Sequence, residues 1–526
     1  MSGQLFRATG VFSFMTLLSR VLGFVRDVVL ARLFGAGPVM DAFFVAFKIP
    51  NFMRRLFAEG GFSHAFVPVI GEYRTQREHA EVRALVDRVA GAMAGMLALL
   101  TLLGVLAAPV FIWVFAPGFS ADDGRHELAS EMLRWTFPYI LFISLVSLAQ
   151  GILHTYGRFA VSAFTPVLLN VVLITAAVWW APWFEEPAMA LAVGVFVAGL
   201  VQLLFQLPFL ARLGLLPRPR LDLAHEGVRR IGRLMLPALF GSSVAQVSLV
   251  IDTIIASFLM AGSVSWLYFS DRLMEFPLAL FGVALGIVIL PGLSQEWANR
   301  AAERFSDMLD WALRLAWLIV VPSAVGLFCL AAPMLATLFQ YGEFDARDTT
   351  MASYSLMAYA IGLIGFSLVK VLAPGFFARQ DTTTPVRAGV VAMLSNITLN
   401  FAFVVPMVLL DFVAPHMGLA LATALSSLIN AGLLYRWLRR DRVYTPRPGW
   451  GLLLLRGLIA NAVMAAVVLW LAGPLSAWLD ATAWDRILHL AVCILAGVFV
   501  YGATLFVLGV RLHHVWLVGD ATREGG

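Results

Sequence analysis

The sequence predicts an all-α polytopic membrane protein of about fourteen transmembrane helices: two parallel six-helix lobes followed by two extra C-terminal helices. Three observations predict it. Of the 526 residues, 60% are hydrophobic and only 13% charged, with a mean hydropathy of +0.85; a soluble domain carries roughly a quarter charged residues. Apolar stretches of about 20 residues, enough to cross a hydrocarbon core of about 30 Å, recur from end to end. The polar segments between them alternate between basic and acidic. A transmembrane β-barrel would show alternating segments of about 10 residues instead.

The apolar runs place spans at 8–34, 39–70, 86–115, 132–154, 160–181, 188–211, 232–260, 263–293, 308–340, 351–377, 384–410, 413–437, 450–473 and 486–511. The first run has no small-residue cleavage site and is read as a span, not a removable signal peptide. One set of connecting segments is basic, including Arg74, Arg77 and Arg83, Arg212 to Arg233, Arg300 and Arg304, and Arg436 to Arg447. The other set is short or acidic: "APGFSADDGRHELASE", "APWFEEPA", "QYGEFDARDTT", "PLSAWLDATAWD". Because arginine and lysine near span ends stay cytoplasmic, the basic set and both termini are expected in the cytoplasm. The longest connection, a basic Pro-containing linker at 212–231, divides an N-lobe (1–211) from a C-lobe (232–440), with 441–526 beyond.

The two lobes repeat each other. "AAPVFIWVFAPGF" at Ala107 matches "AAPMLATLFQYGEF" at Ala331; "AGPVMDAFF" at Ala36 matches "AGSVSWLYF" at Ala261; Pro68 of "FVPVIGE" aligns with Pro291 of "ILPGLSQE". The nearly constant spacing argues against chance likeness of apolar helices. An even number of spans separates the copies, so they share one orientation. Transporters place substrate at the interface of such repeats and rock one against the other.

Charges inside the spans are the strongest functional signal. The first span carries Arg20, Arg26 and Asp27, with Ser19 on the face of Arg26 and Gly23 permitting a bend. The second carries Asp41, Lys48, Arg54, Arg55 and Glu59, and Pro50 is expected to break its helix. The eighth carries Asp271, Arg272 and Glu275. A charge at the bilayer centre costs about 2.5–3.5 kcal/mol on the insertion scale, so these groups must face one another or a hydrated cavity. Internal pairing would join Arg20 to Asp27 or Asp41, Arg272 to Glu275 and Arg55 to Glu59. Cations nevertheless outnumber acids in the first two spans, and a cationic cavity calls for an anion; guanidinium suits phosphate oxygens. In the C-lobe, Asp252, Asn396, Asn400 and Thr423 offer one carboxylate, two amide oxygens and a hydroxyl. That is a set for a hard cation, or for hydrogen bonds between helices, or, through Asp252, for a proton.

Four stretches carry a resemblance: "SRVLGFVRD", "GAGPVMDAFFVAFKIPNFMRRLFAEGGFSHAFVP", "GSVSWLYFSDRLMEFPLALFGVALGIVILP" and "VLAPGFFARQDTTTP". They resemble the MurJ/MviN family, lipid II flippases of the multidrug/oligosaccharidyl-lipid/polysaccharide exporter superfamily. The resemblance implies fourteen spans and export of an undecaprenyl-pyrophosphate-linked peptidoglycan precursor. It also implies cavity groups at Arg20, Arg26, Asp41, Arg54 and Arg272, a lipid-tail groove at the last two spans, and in some members sodium at positions matching Asp252, Asn396, Asn400 and Thr423. Asn400 stands where members can carry a second carboxylate. Arg55 joins the expected substrate contacts; Ser19, Gly23, Asp27, Glu59, Asp271 and Glu275 are expected to support the cavity.

The expected partners are lipid II and membrane lipids, with no nucleic acid, acting on a monomer. Apart from the possible sodium ion no cofactor is expected: Cys329 and Cys493 lie in apolar runs without a CxxC partner. No connection is long enough for a catalytic domain, and no nucleophile has credible neighbours, so an enzyme acting on polyprenyl phosphate is disfavoured. A drug or polysaccharide-lipid antiporter of the same superfamily is the closer alternative.

Overall fold

A computed structural model describes residues 2–55, 62–119 and 124–510, with side chains described outside 2–13, 64, 237–245 and 280–288. Glu59 lies outside the described residues. Every regular element among them is helical. In chain order these are α1 (Ser2–Phe34), α2 (Pro38–Arg54), α3 (Ser63–Gln76), α4 (His79–Leu106), α5 (Ala108–Phe115), α6 (Arg125–Thr136), α7 (Tyr139–Thr155), α8 (Phe159–Thr175) and α9 (Met189–Arg212). Then follow α10 (Glu226–Ser257), α11 (Ser263–Ala298), α12 (Ala302–Cys329), α13 (Ala331–Leu338), α14 (Ala346–Phe377), α15 (Thr383–Leu409), α16 (Met417–Arg440), α17 (Trp450–Ala472), α18 (Leu475–Leu479) and α19 (Ala483–Val507).

Among the described residues, ten helical stretches are long and apolar enough to cross a membrane. The four remaining expected spans fall on α1, on α2 with α3, on α10 and on α11. α1, α2 and α11 carry the charges that the sequence places inside spans, and Asp252 lies on α10.

The repeat seen in the sequence has a counterpart in several helices. α4 and α12 each have 28 residues, and each is followed by an 8-residue helix, α5 or α13, at a copy of the Ala-Ala-Pro motif. α9 and α16 each have 24 residues. By packing, the compact units are Met1–Ser265 and Trp266–Gly526. α10, which opens the second repeat, packs on α3, α4 and α5 of the first unit. At its end, Ser257 Oγ accepts the Gly118 N–H at 2.9 Å. A Cβ on Gly118 would lie 2.4 Å from the Ser257 carbonyl carbon, so glycine permits this approach.

The first unit holds an apolar core of Phe62, Phe66 and Ile70 of α3 and its entry, Leu85 and Val86 of α4, and Ile152 and Leu153 of α7. In the second unit α14 and α16 pack through small residues. A Cβ on Gly365 would meet Ser427 Oγ at 2.2 Å, and one on Gly362 would meet Ala424 Cα at 3.0 Å. Such close backbone approach suits helix association in lipid, where apolar burial gives no driving force. α17 and α19 pack together and join α13 and Trp478 in a second core with Met464, Val468 and Cys493.

Polar knots tie the ends. Buried Asp310 of α12 accepts Tyr444 Oη at 2.7 Å, Trp450 Nε1 at 2.7 Å and Arg314 Nε at 2.6 Å, holding the 441–449 connection onto α12. Burial, reinforced by the hydrogen bond to Asp310, pushes the Tyr444 hydroxyl up, so it remains a donor. At the far end, buried Arg486 of α19 donates to the carbonyls of Ala336, Gln340 and Leu479, satisfying carbonyls at and just past the C-terminal ends of α13 and α18.

Candidate functional site

Pro50 does not break α2, which runs on to Arg54. Proline removes one N–H and frees the carbonyl four residues back, that of Ala46. The buried Thr136 hydroxyl of α6 donates to this carbonyl at 2.9 Å. The helix continues because another helix repairs the missing bond, and Asp41 and Arg54 therefore ride on one rigid element.

In α1 the charges pair differently from the expected scheme. Arg26, not Arg20, takes Asp27: its Nε and Nη2 reach Asp27 Oδ1 at 3.0 and 2.7 Å, and both side chains are buried. Asn170 of α8 completes the cluster. Its Oδ1 accepts Arg26 Nη1 at 3.1 Å, and its Nδ2 donates to the Ser19 carbonyl at 3.0 Å. Gly23 makes no break in α1; its bare face lies against the Asn170 amide. Arg20 is exposed.

Asp41 sits on the first turn of α2 and is fully buried. Its Oδ2 accepts the Gly262 N–H at 2.7 Å, and its Oδ1 accepts the Ser265 N–H at 2.9 Å and the Ser265 hydroxyl at 2.6 Å. It thus caps the start of α11, whose first N–H groups have no intrahelical acceptors. Gly262, at φ 97°, makes the turn that aims those donors. Arg125 of α6 brings a guanidinium to 4.0 Å from Asp41 Oδ2 and stacks 4.6 Å over Phe119.

Arg54 Nε donates to Asn51 Oδ1 at 3.3 Å, and Arg55, just past α2, is exposed. In the second unit, Arg272 Nη1 pairs with Glu275 at 2.9 Å, as the spacing predicts, and the guanidinium lies 5.1 Å over the Tyr268 ring. Asp271 neighbours it on α11, half-buried. Asn396 Nδ2 donates to Thr423 Oγ1 at 3.2 Å and Asn400 Nδ2 to Asn396 Oδ1 at 3.3 Å, a ladder between α15 and α16. Asp252 belongs to α10 in the first unit. Among the described residues no three His, Cys, Asp or Glu side chains converge as a metal cluster.

Sequence reasoning missed Asn170, Arg125 and Ser265. Asn170 is the one amide in the apolar run "TPVLLNVVL", a signal in plain view. Arg125 sits inside a segment read as an acidic connection, and no local pattern links it to Asp41.

The profile of the family described as lipid II flippase MurJ matches residues 30–506. A probable lipid II flippase MurJ from Vibrio cholerae serotype O1 is 47% identical over 520 residues, covering 97% of each chain. The lipid II flippase MurJ of Burkholderia cenocepacia is 44% identical over 514 residues, covering 97% of this chain and 98% of its own. A solved lipid II flippase MurJ in an inward closed conformation superposes with a TM-score of 0.77 at 26% identity, covering 94% of this chain and 97% of its own. An inward-facing multidrug transporter of the MATE family shares the fold, with a TM-score of 0.63 at 16% identity over 82% of this chain and 97% of its own. The chain belongs to the MurJ family of lipid II flippases.

Proposed function

We propose that this protein carries lipid II, the undecaprenyl-pyrophosphate-linked disaccharide-peptide, from the cytoplasmic to the periplasmic leaflet of a bacterial inner membrane. It crosses the membrane fourteen times with both termini inside, acts as a monomer by alternating access, and makes or breaks no covalent bond. Family membership supports the substrate, and the basic character of alternate connections supports the orientation.

One observation carries the site assignment: in α1, α2 and α11 ionised side chains lie within the apolar runs themselves. Arg20, Arg26, Arg54, Arg55 and Arg272 are the pyrophosphate contacts. Two acids near them have other duties, Asp27 with Arg26 and Asp41 with the start of α11, which leaves the local charge positive and suited to an anion. Asp27, Asp271 and Glu275 orient these cations, and Ser19 and Gly23 shape α1 around Asn170. The prenyl tail stays in lipid beside α17 and α19, whose exposed faces are apolar, Trp470, Phe499 and Phe506 among them.

The membrane potential, inside negative, is worth about 2.3 kcal/mol per elementary charge per 100 mV. It favours outward movement of the anionic headgroup and inward return of the empty cationic site. Sodium, as a coupling ion, would be held by the oxygens of Asn396, Asn400 and Thr423, with Asp252 as the charged ligand; it would act by differential affinity for one conformation.

The test is growth of bacteria depleted of their own lipid II flippase, followed by flipping in proteoliposomes at clamped potential with and without sodium. We expect complementation, flipping that rises with inside-negative potential, and loss of flipping at normal protein levels for Ala at Arg20, Arg26, Arg54 or Arg272. Full activity of all four variants would overturn the clamp. Flipping indifferent to potential would overturn the charge argument, and flipping indifferent to both sodium and Asp252→Ala would remove the ion.

A further inference from the structure

The segment after α9, expected as a basic linker, is a strap laid across α4. Asp87 of α4 anchors it: its Oδ1 accepts the Arg218 N–H at 2.7 Å and its carbonyl accepts the Arg220 N–H at 3.0 Å. Arg88 Nε clasps Asp222 at 2.8 Å. The strap crosses at Gly91, where a Cβ would lie 2.2 Å from the Arg220 carbonyl oxygen, so only glycine admits the backbone. One turn further along, Leu221 Cδ2 comes to 3.0 Å from where a Gly95 Cβ would stand.

That last contact fixes a depth. Arg88 is the final ionised residue of α4, and everything from Val89 to Leu106 is uncharged. Gly95 lies seven residues past Arg88, about 10 Å along the axis at 1.5 Å per residue. Directly beyond it begins the exposed apolar face of α4, with Met96 50% and Leu99 60% exposed. The strap therefore reaches the level where the hydrocarbon-facing surface starts. Its own side chains suit that level. Leu221 and Leu223 are 77% and 67% exposed, a poor arrangement in water. Arg218 and Arg220 are exposed and, among the described residues, have no carboxylate partner; Asp222 is taken by Arg88. Pro217 and Pro219 stiffen the backbone between them.

We propose that this strap is an interfacial anchor for anionic phospholipid: Leu221 and Leu223 enter the acyl boundary while Arg218 and Arg220 hold a headgroup phosphate of the leaflet beside them. That leaflet is cytoplasmic by the orientation proposed above, on which this point rests. Alternating apolar and basic side chains fit such a surface, since arginines attract anionic headgroups and leucines are buried below them. Clamped at Asp87 and Gly91, the strap cannot lift away, so the lipid contact also braces the first unit.

Two measurements on the full-length protein test this. Phosphatidylglycerol is titrated against purified wild type, an Arg218→Ala/Arg220→Ala double variant and an Arg300→Ala control, with bound lipid counted by native mass spectrometry. Each lost arginine is expected to weaken binding about fivefold, the equivalent of one basic residue at a membrane surface, so the double variant loses about 25-fold and the control little. Separately, a spin label at Leu221→Cys, in a Cys329→Ala/Cys493→Ala background reconstituted in bilayers, is expected to be accessible to oxygen and shielded from an aqueous nickel reagent. A label at Ala224→Cys should show the reverse. Unchanged lipid binding in the double variant, or a water-exposed label at 221, overturns the anchor. Sidedness is read independently by impermeant thiol labelling of Ala224→Cys in intact cells. Reaction from outside would overturn the orientation and leave the in vitro results standing.

Discussion

Asp41 receives both the backbone N–H and the hydroxyl of Ser265, at 2.9 and 2.6 Å, so a carboxylate on one helix start caps another. Arg125 lies 4.0 Å from the same carboxylate, but the capping bonds are shorter and more numerous. Asp41→Ala is expected to lose about 1–2 kcal/mol of stability, as for other lost N-caps, and Asp41→Asn less, because an amide oxygen still accepts. Ser265→Ala should resemble Asn. Thermal midpoints of the three variants check this; an Ala variant as stable as wild type would contradict the cap.

Asn170 bridges Arg26 and the Ser19 carbonyl. Asn170→Leu keeps the bulk and removes both bonds, leaving a buried guanidinium short of one acceptor. The expected cost is about 1.5–3 kcal/mol, the range for hydrogen bonds to charged groups, together with reduced flipping. Asn170→Asp should hold the arginine more strongly and lose the Ser19 link. Melting curves and proteoliposome flipping of both variants decide; wild-type values for Asn170→Leu would show that Arg26 needs Asp27 alone.

Removing Asp310 strands Tyr444 Oη and Trp450 Nε1, and leaves Arg314 without its carboxylate. Breaking a buried pair from one side costs about 3–5 kcal/mol, so Asp310→Ala should unfold well below wild type, and protease should cut first in the 441–449 connection. Asp310→Asn keeps acceptors and should fall between the two. Limited proteolysis with mapped cleavage sites is the check.

Two exposed ion pairs give a pH dependence. Hydrogen bonding to Arg230 holds Glu72 below its ordinary range, and hydrogen bonding to Arg88 does the same for Asp222. Both carboxyls thus have lower pKa values folded than unfolded. Their contribution is complete at neutral pH and fades as pH falls through and below the ordinary carboxylate range. Stability should drop on acidification, and an Arg230→Ala/Arg88→Ala variant should show a shallower drop. Added salt should weaken the wild-type effect, since exposed pairs are screened. Identical slopes for both proteins would remove these pairs from the account.

The all-helical fold, its ten long apolar helices among the described residues and the repeat were legible because they are written in local apolar content. α4 with α5 and α12 with α13 even keep their lengths across the repeat. The charged helices were legible for the same reason, since a charge in an apolar run stands out whatever it touches. Partners were another matter. Asp27 went to its neighbour Arg26, although Arg20 had the better helical spacing, because Asn170 on α8 fixes the guanidinium there. Pro50 failed to end α2 because Thr136 supplies the missing donor from another helix. The 212–231 segment was read as a linker because proline and arginine suggest exposure; Asp87 and Gly91, more than a hundred residues earlier, turn it into a strap. α10 joins the first compact unit because it packs on α3, α4 and α5. Composition along the chain determined which segments enter the membrane and which carry charge. Contacts between residues far apart in sequence decided which charges meet, and no local pattern encodes them.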